Sequence, residues 1–181
     1  MFLDKFKEFP KSKIIYLITL VGFLIVLLAE IFVFIPIEGS ISTYGILDYE
    51  FAWTSSRAEI ILSVWGADGI DSQVTAIYWD FLFIVGYASL AFGLIVITLR
   101  KSESKVQTIG IYVSFTPFLT GFLDVVENIF LILMTRSPTS VTDAHPIIAS
   151  LSATLKFGFL FIGIIYFVIA VIFLVINKIK K

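Results

Sequence analysis

The chain contains no cysteine, and that absence removes disulfides, thiol redox chemistry and thiolate metal sites together. Histidine is almost missing as well: one in 181 residues excludes a bis-histidine haem or a histidine-rich di-metal centre within a single chain. Nor is there an excess of charge of either sign. Thirteen Lys and Arg against 14 Asp and Glu give a formal net charge of −1. No basic field is available to neutralise phosphates, so nucleic acid is excluded as a partner. No Asn-x-Ser/Thr sequon occurs, and there is no phosphate-cradling Gly-rich loop with Lys, no His-Glu-x-x-His and no Gly-x-Ser-x-Gly. No complete catalytic motif is left.

What the chain has in abundance is apolar surface. It is 59% hydrophobic and 16% aromatic, with a mean hydropathy of +1.01, a density that means transmembrane helices rather than a soluble core. Four apolar runs predict helices over residues 14–35, 72–99, 106–134 and 147–177. The expected fold is an all-α, single-domain bundle of four transmembrane helices. The first run follows a Lys-rich start but is about 22 residues long, with no small-residue cleavage site after it, and so reads as a retained helix rather than a signal peptide. Pro36 is expected to end it. The Phe and Lys of residues 1–13 suit an interfacial anchor.

Residues 36–71 form the one sizeable connection, expected to cap the bundle on the outside. Leu47, Tyr49, Phe51 and Trp53 alternate with Asp48, Glu50 and Ala52, a strand-like period that a short helix could equally occupy. Ser56-Arg-Ala-Glu59 reads as a capping box opening a short amphipathic helix that stops at Gly66. Asp71-Ser72 is then expected to cap the second transmembrane helix. Trp53, Trp65 and Trp79 suit interfacial anchors and core. Gly86 and Gly93, seven apart, would allow close helix approach.

Orientation follows from the basic residues. Ten of the 13 Lys and Arg lie in 1–13, 100–105 and 178–181, whereas 36–71 holds one Arg against six acids. Basic residues mark cytoplasmic ends, so both termini are expected in the cytoplasm of a cell that carries the protein in its cytoplasmic membrane.

The ionisable residues inside the helices are then informative. Glu30 lies 17 residues from Lys13, Asp80 lies 20 from Arg100, Asp124 and Glu127 lie 19 and 22 from Lys105, and Lys156 lies 22 from Lys178. At about 1.5 Å per residue all fall roughly 25–33 Å up, near the outer edge of a hydrocarbon core about 30 Å thick. Asp124, Glu127 and Asn128 share one helical face, which Pro117, Thr120 and Gly121 extend backwards. Asp80 and Tyr87, seven apart, share another. The expected polar cluster is therefore Asp80, Tyr87, Asp124, Glu127, Asn128 and Lys156, with Glu30 and His145 at its periphery. Four carboxylates against Lys156 leave three negative charges uncompensated. They must be protonated, solvated or matched by a cation. Oxygen-only ligands would suit Ca²⁺ or Mg²⁺ better than Zn²⁺, but no metal or other cofactor is implied. Below this layer almost nothing is polar: residues 157–176 carry no charge.

Three function classes fit. The first is a non-enzymatic membrane protein, an accessory subunit or a binder of lipid or small ligand, whose partners are membrane lipids and either a larger membrane complex or further copies of the chain. The second is a proton- or cation-coupled carrier or pore subunit, which the dry lower half opposes. The third is an intramembrane acid–base enzyme using Asp124 and Glu127 on a lipid-like substrate. The first is preferred, because no catalytic motif is complete.

The run Asp124-x-x-Glu127-Asn128 lacks the Asp-Gly and the following Ala-Arg of lipid-head-group phosphotransferases. A resemblance does reach other residues. Trp65-Gly66, Trp79-Asp80-Phe81-Leu82-Phe83 with Tyr87, Leu123-Asp124-Val-Val-Glu127-Asn128 and Leu155-Lys156-Phe157 together resemble a pattern in small four-helix membrane proteins of bacteria and archaea, over roughly residues 45–175. The resemblance implies that Asp80, Tyr87, Asp124, Glu127, Asn128 and Lys156 belong together, and it carries no activity.

Overall fold

A computed structural model describes residues 8–38 and 43–179. Residues 1–7 of the anchor expected over 1–13, residues 39–42 of the connection and the last two lysines lie outside the described residues. No strand occurs among the described residues, and four helices are long and apolar enough to cross a membrane: Ser12–Glu38, Ser55–Lys101, Lys105–Thr135 and Ala144–Ile179.

The first span is α1 (Ser12–Ala29), a π-helical turn (Glu30–Phe34) and α2 (Ile35–Glu38) in continuous succession. Pro36 does not end this helix as expected. Proline lacks the N–H and its ring collides with the carbonyl four residues back; here the preceding turn widens, and the Ile35 N–H bonds the Glu30 carbonyl. The helix therefore passes through the proline, and the wide turn lies where Glu30 and Phe34 face inward.

The short helix α3 (Ile46–Glu50) takes up the first half of the alternating stretch, and residues 51–53 form the turn after it. Then α4 runs from Ser55 to Lys101 and is interrupted once, at Gly66 with φ 63° and ψ −172°. Only glycine takes this conformation without strain. The amphipathic helix before Gly66 is where the sequence placed it, but the second span resumes immediately after it rather than at residue 72. The Ser72 hydroxyl donates to the Asp68 carbonyl inside the helix and caps nothing. The cap at the start of α4 is Thr54, whose hydroxyl accepts the Arg57 N–H at 3.2 Å. Glu59, expected to close the capping box, instead accepts the Val141 N–H at 2.9 Å, tying this helix to the 135–143 loop. The Ser55 hydroxyl donates to Asp143 in the same loop.

The third span is also broken. α5 (Ser104–Val113) and α6 (Thr116–Thr135) are separate helices. Pro117 sits in the first turn of α6, where its missing N–H leaves no internal bond unmade. The last helix is α7 (Ala144–Ile179).

Helix α6 packs on α7 and α1 on α4, while α4 joins the two pairs. One buried cluster lies at the end carrying α3: Tyr49, Ile61, Leu62, Trp65, Leu131 and Met134. The Tyr49 hydroxyl donates to the Leu131 carbonyl at 3.2 Å, and the Trp65 indole donates to the Tyr44 carbonyl at 2.7 Å. These bonds tie the connection to α6 and to itself. A second cluster, around Ile95, Leu99, Ile111 and Tyr166, holds the other end.

Candidate functional site

The structure brings the six residues expected from spacing together in two hydrogen-bonded groups, four residues around Lys156 and the pair Asn128–Asp80, with Asp80 and Tyr87 half-buried. At the centre of the first is Lys156 of α7. Its Nζ donates to Asp124 Oδ1 at 2.7 Å and to Glu127 Oε1 at 2.9 Å, both on α6. Glu127 Oε2 is 2.8 Å away, in ion-pair contact without a hydrogen bond. On α4, the Tyr87 hydroxyl donates to Asp124 Oδ2 at 2.8 Å, and the Asn128 amide donates to Asp80 Oδ2 at 2.6 Å. Thr120 donates to the Lys156 carbonyl at 3.4 Å. Residues three and four apart on α6 point the same way, so a single helical face supplies Thr120, Asp124, Glu127 and Asn128 together.

One member was not foreseen. Glu50, at the end of α3, reaches 3.5 Å from Lys156 Nζ with Oε2 and is only 8% exposed. The turn after it delivers it there. Ser150 of α7 donates to the Glu50 carbonyl at 2.7 Å and accepts the Trp53 N–H at 3.0 Å. Trp53 is held at φ 57°, a conformation a bulky residue adopts only when its surroundings impose it. Burial pushes the Glu50 carboxyl above the ordinary carboxylate range. The Lys156 charge opposes that rise, and the Asp124 carboxylate adds to it.

Beside the network is a cavity of ≈ 420 Å³, within the range of small-ligand sites. Every spanning helix and α3 contribute to it. Asp80, Asp124, Asn128, Glu50 and Lys156 form its polar side, and Glu30 joins them from the π-helical turn. Phe34, Phe83, Tyr87, Phe157, Ile77 and Leu160 form apolar and aromatic walls. Gln73, two turns before Asp80 on α4, lines it as well and is 2% exposed. Its position was legible, since Gln73, Asp80 and Tyr87 recur at seven-residue spacing. The exposed Glu38 and Leu47 lie at its edge.

Glu30 therefore reaches the cavity without joining the Lys156 network. His145 does neither: its ring tilts against Phe130 at 5.6 Å and its N–H bonds the Thr142 carbonyl at the start of α7. Towards the other end the helices are dry. The hydroxyls of Thr98, Ser114 and Thr116 donate to carbonyls of the preceding turn.

No family model, curated protein or solved structure matches the chain.

Proposed function

We propose that this protein is a ligand-binding integral membrane protein of the cytoplasmic membrane, with no catalytic step, whose site is the cavity between the Lys156 network and the first helix. The observation that carries this reading is the cavity itself. It is amphiphilic, with ionisable and amide groups along one side and aromatic and aliphatic side chains along the rest, and that division suits a molecule with a polar head and an apolar body. Both termini lie in the cytoplasm, the site faces the outer leaflet, and the segment from residue 43 to 65 is its outer cap. The clustering of Lys and Arg supports this orientation. The dry opposite half speaks against a carrier, since a transported ion would meet no polar side chain there.

The orientation is open to a direct test, because the cysteine-free chain has no labelling background. Ser137→Cys should react with a membrane-impermeant maleimide in intact cells and Glu103→Cys only after permeabilisation; both positions are exposed. The reverse pattern would invert the topology. Ligand binding is tested by native mass spectrometry of protein extracted gently from its own membrane. A reproducible small adduct is expected, and Ala76→Phe should abolish it while helicity is retained, because Ala76 is buried on the cavity wall. A bare mass for the unaltered protein would reject the binding function and leave the network a structural lock.

A further inference from the structure

We propose that the ligand is a cationic amphiphile, an ammonium group carried on an apolar chain, received by Asp80, Glu30 and Gln73. This rests on the reading of the cavity as a binding site. Lys156 is the only cation lining the cavity among the described residues, and it is already engaged by Asp124 and Glu127 at 2.7 and 2.9 Å. It has no reach left for the acids on the other wall. Asp80 is met only by the neutral amide of Asn128 through Oδ2, and Glu30 stands at the π-helical turn with no basic partner among the described residues. Five acids line the cavity, Glu30, Glu38, Glu50, Asp80 and Asp124, against the one cation Lys156.

A second, independent feature points the same way. Gln73 is almost completely buried, lines the cavity, and makes no hydrogen bond within the protein among the described residues. Its amide thus meets the cavity without a protein partner, and an ammonium offered to its carbonyl would bond it. Gln73 and Asp80 lie on one face of α4 about 10 Å apart along the axis, so they can grip an extended amine or its neighbouring polar group at two points. The aromatic walls suit the same charge: ring faces attract ammonium ions, and Lys156 Nζ already stands 5.2 Å from the Phe157 ring centre. A metal ion fits less well, because the three carboxyl groups that converge, those of Asp124, Glu127 and Glu50, do so on Lys156, and no group of acids or histidine among the described residues is placed to hold one.

The chemistry is shared by two sources, the headgroup of an aminophospholipid and a free alkylamine. The test uses purified protein in a nonionic maltoside, titrated calorimetrically at pH 7 with n-octylamine, n-octanol and sodium octanoate. Octylamine, charged at this pH, should bind at least tenfold more tightly than octanol. Asp80→Asn and Gln73→Leu should each weaken octylamine about tenfold and leave octanol unchanged. Glu30→Gln, at the wall remote from the network, provides the same reading if either of those variants misfolds. Octanol binding as tightly as octylamine would overturn the ammonium assignment and leave the binding function standing; preference for octanoate would overturn it too, making Lys156 the recognition group. No binding by any of the three would remove both. With octylamine bound, selective retention of phosphatidylethanolamine over phosphatidylglycerol from mixed vesicles names a lipid as the source, and its absence names a free amine. Either result upholds the ammonium.

Discussion

Lys156→Met will be the most destabilising single change in the polar network, lowering unfolding free energy by about 3–5 kcal/mol. Lys156 is 7% exposed, with Asp124, Glu127 and Glu50 at 2.7, 2.8 and 3.5 Å. Removing the ammonium leaves these carboxyl groups facing one another with no positive charge between them. Asp124 keeps the Tyr87 hydroxyl, but Glu127 is fully buried and loses the one basic group within reach. Methionine fills much of the same volume, so the loss measures charge rather than packing. Adding Asp124→Asn to Lys156→Met should recover part of it, because one uncompensated carboxylate disappears. Lys178→Met, at an exposed position near the end of α7, should change stability by less than about 0.5 kcal/mol. Denaturant titration in micelles, followed by far-ultraviolet circular dichroism, distinguishes the three. A Lys156→Met protein as stable as the unaltered chain would mean that the carboxyl groups are neutral in the folded state and that the network is not held by ion pairing.

Much of that network was legible in the sequence because helices make position periodic. Asp124, Glu127 and Asn128 had to share a face, Asp80 and Tyr87 had to share another, and counting from the basic ends put Lys156 at their level. Each inference needed only the rise and turn of an α-helix. Glu50 escaped because it lies on a five-residue helix whose placement depends on Ser150, a hundred residues later; no local period encodes that contact. The helix boundaries went astray for a related reason. Pro36 carries a strong local stop signal, yet a π turn absorbs it, and the apolar stretch 106–134 conceals a break at residues 114–115 that only Pro117 hints at. Gly66 was read correctly as a stop, but a stop in backbone direction need not be followed by a loop. Local rules fixed which residues are helical and where the charges lie along the axes. They could not say that the end of α3 would carry Glu50 to Lys156.

Gly22→Ala should carry the second large effect, about 1–3 kcal/mol of destabilisation, despite adding a single methyl group to a helix. The buried residues of α1 are Ile15, Gly22 and Ala29, a seven-residue stripe that forms its seam with α4. A Cβ on Gly22 would lie 2.6 Å from the Gly86 carbonyl oxygen and 2.6 Å from the Leu90 nitrogen. Both are backbone atoms of a helix and cannot rotate away, so the two helices must move apart. Between helices in lipid there is no hydrophobic force to restore the contact; close packing itself holds them together. Gly86→Ala presses on the Ile25 side chain at 2.7 Å, which can shift, and should cost less. Gly158→Ala meets nothing within 4 Å and gains helix propensity of about 1 kcal/mol, so it should be neutral or stabilising. The same displacement reaches the cavity, because Glu30 and Phe34 follow directly from α1 and form one of its walls. Gly22→Ala should therefore weaken octylamine binding as well as stability, although residue 22 lies two turns from the cavity. If stability falls and binding does not, the first helix is held at its π-helical turn independently of the glycine seam. If neither changes, α1 is not docked through Gly22, and the wall it contributes must be positioned by α2 and α3 instead.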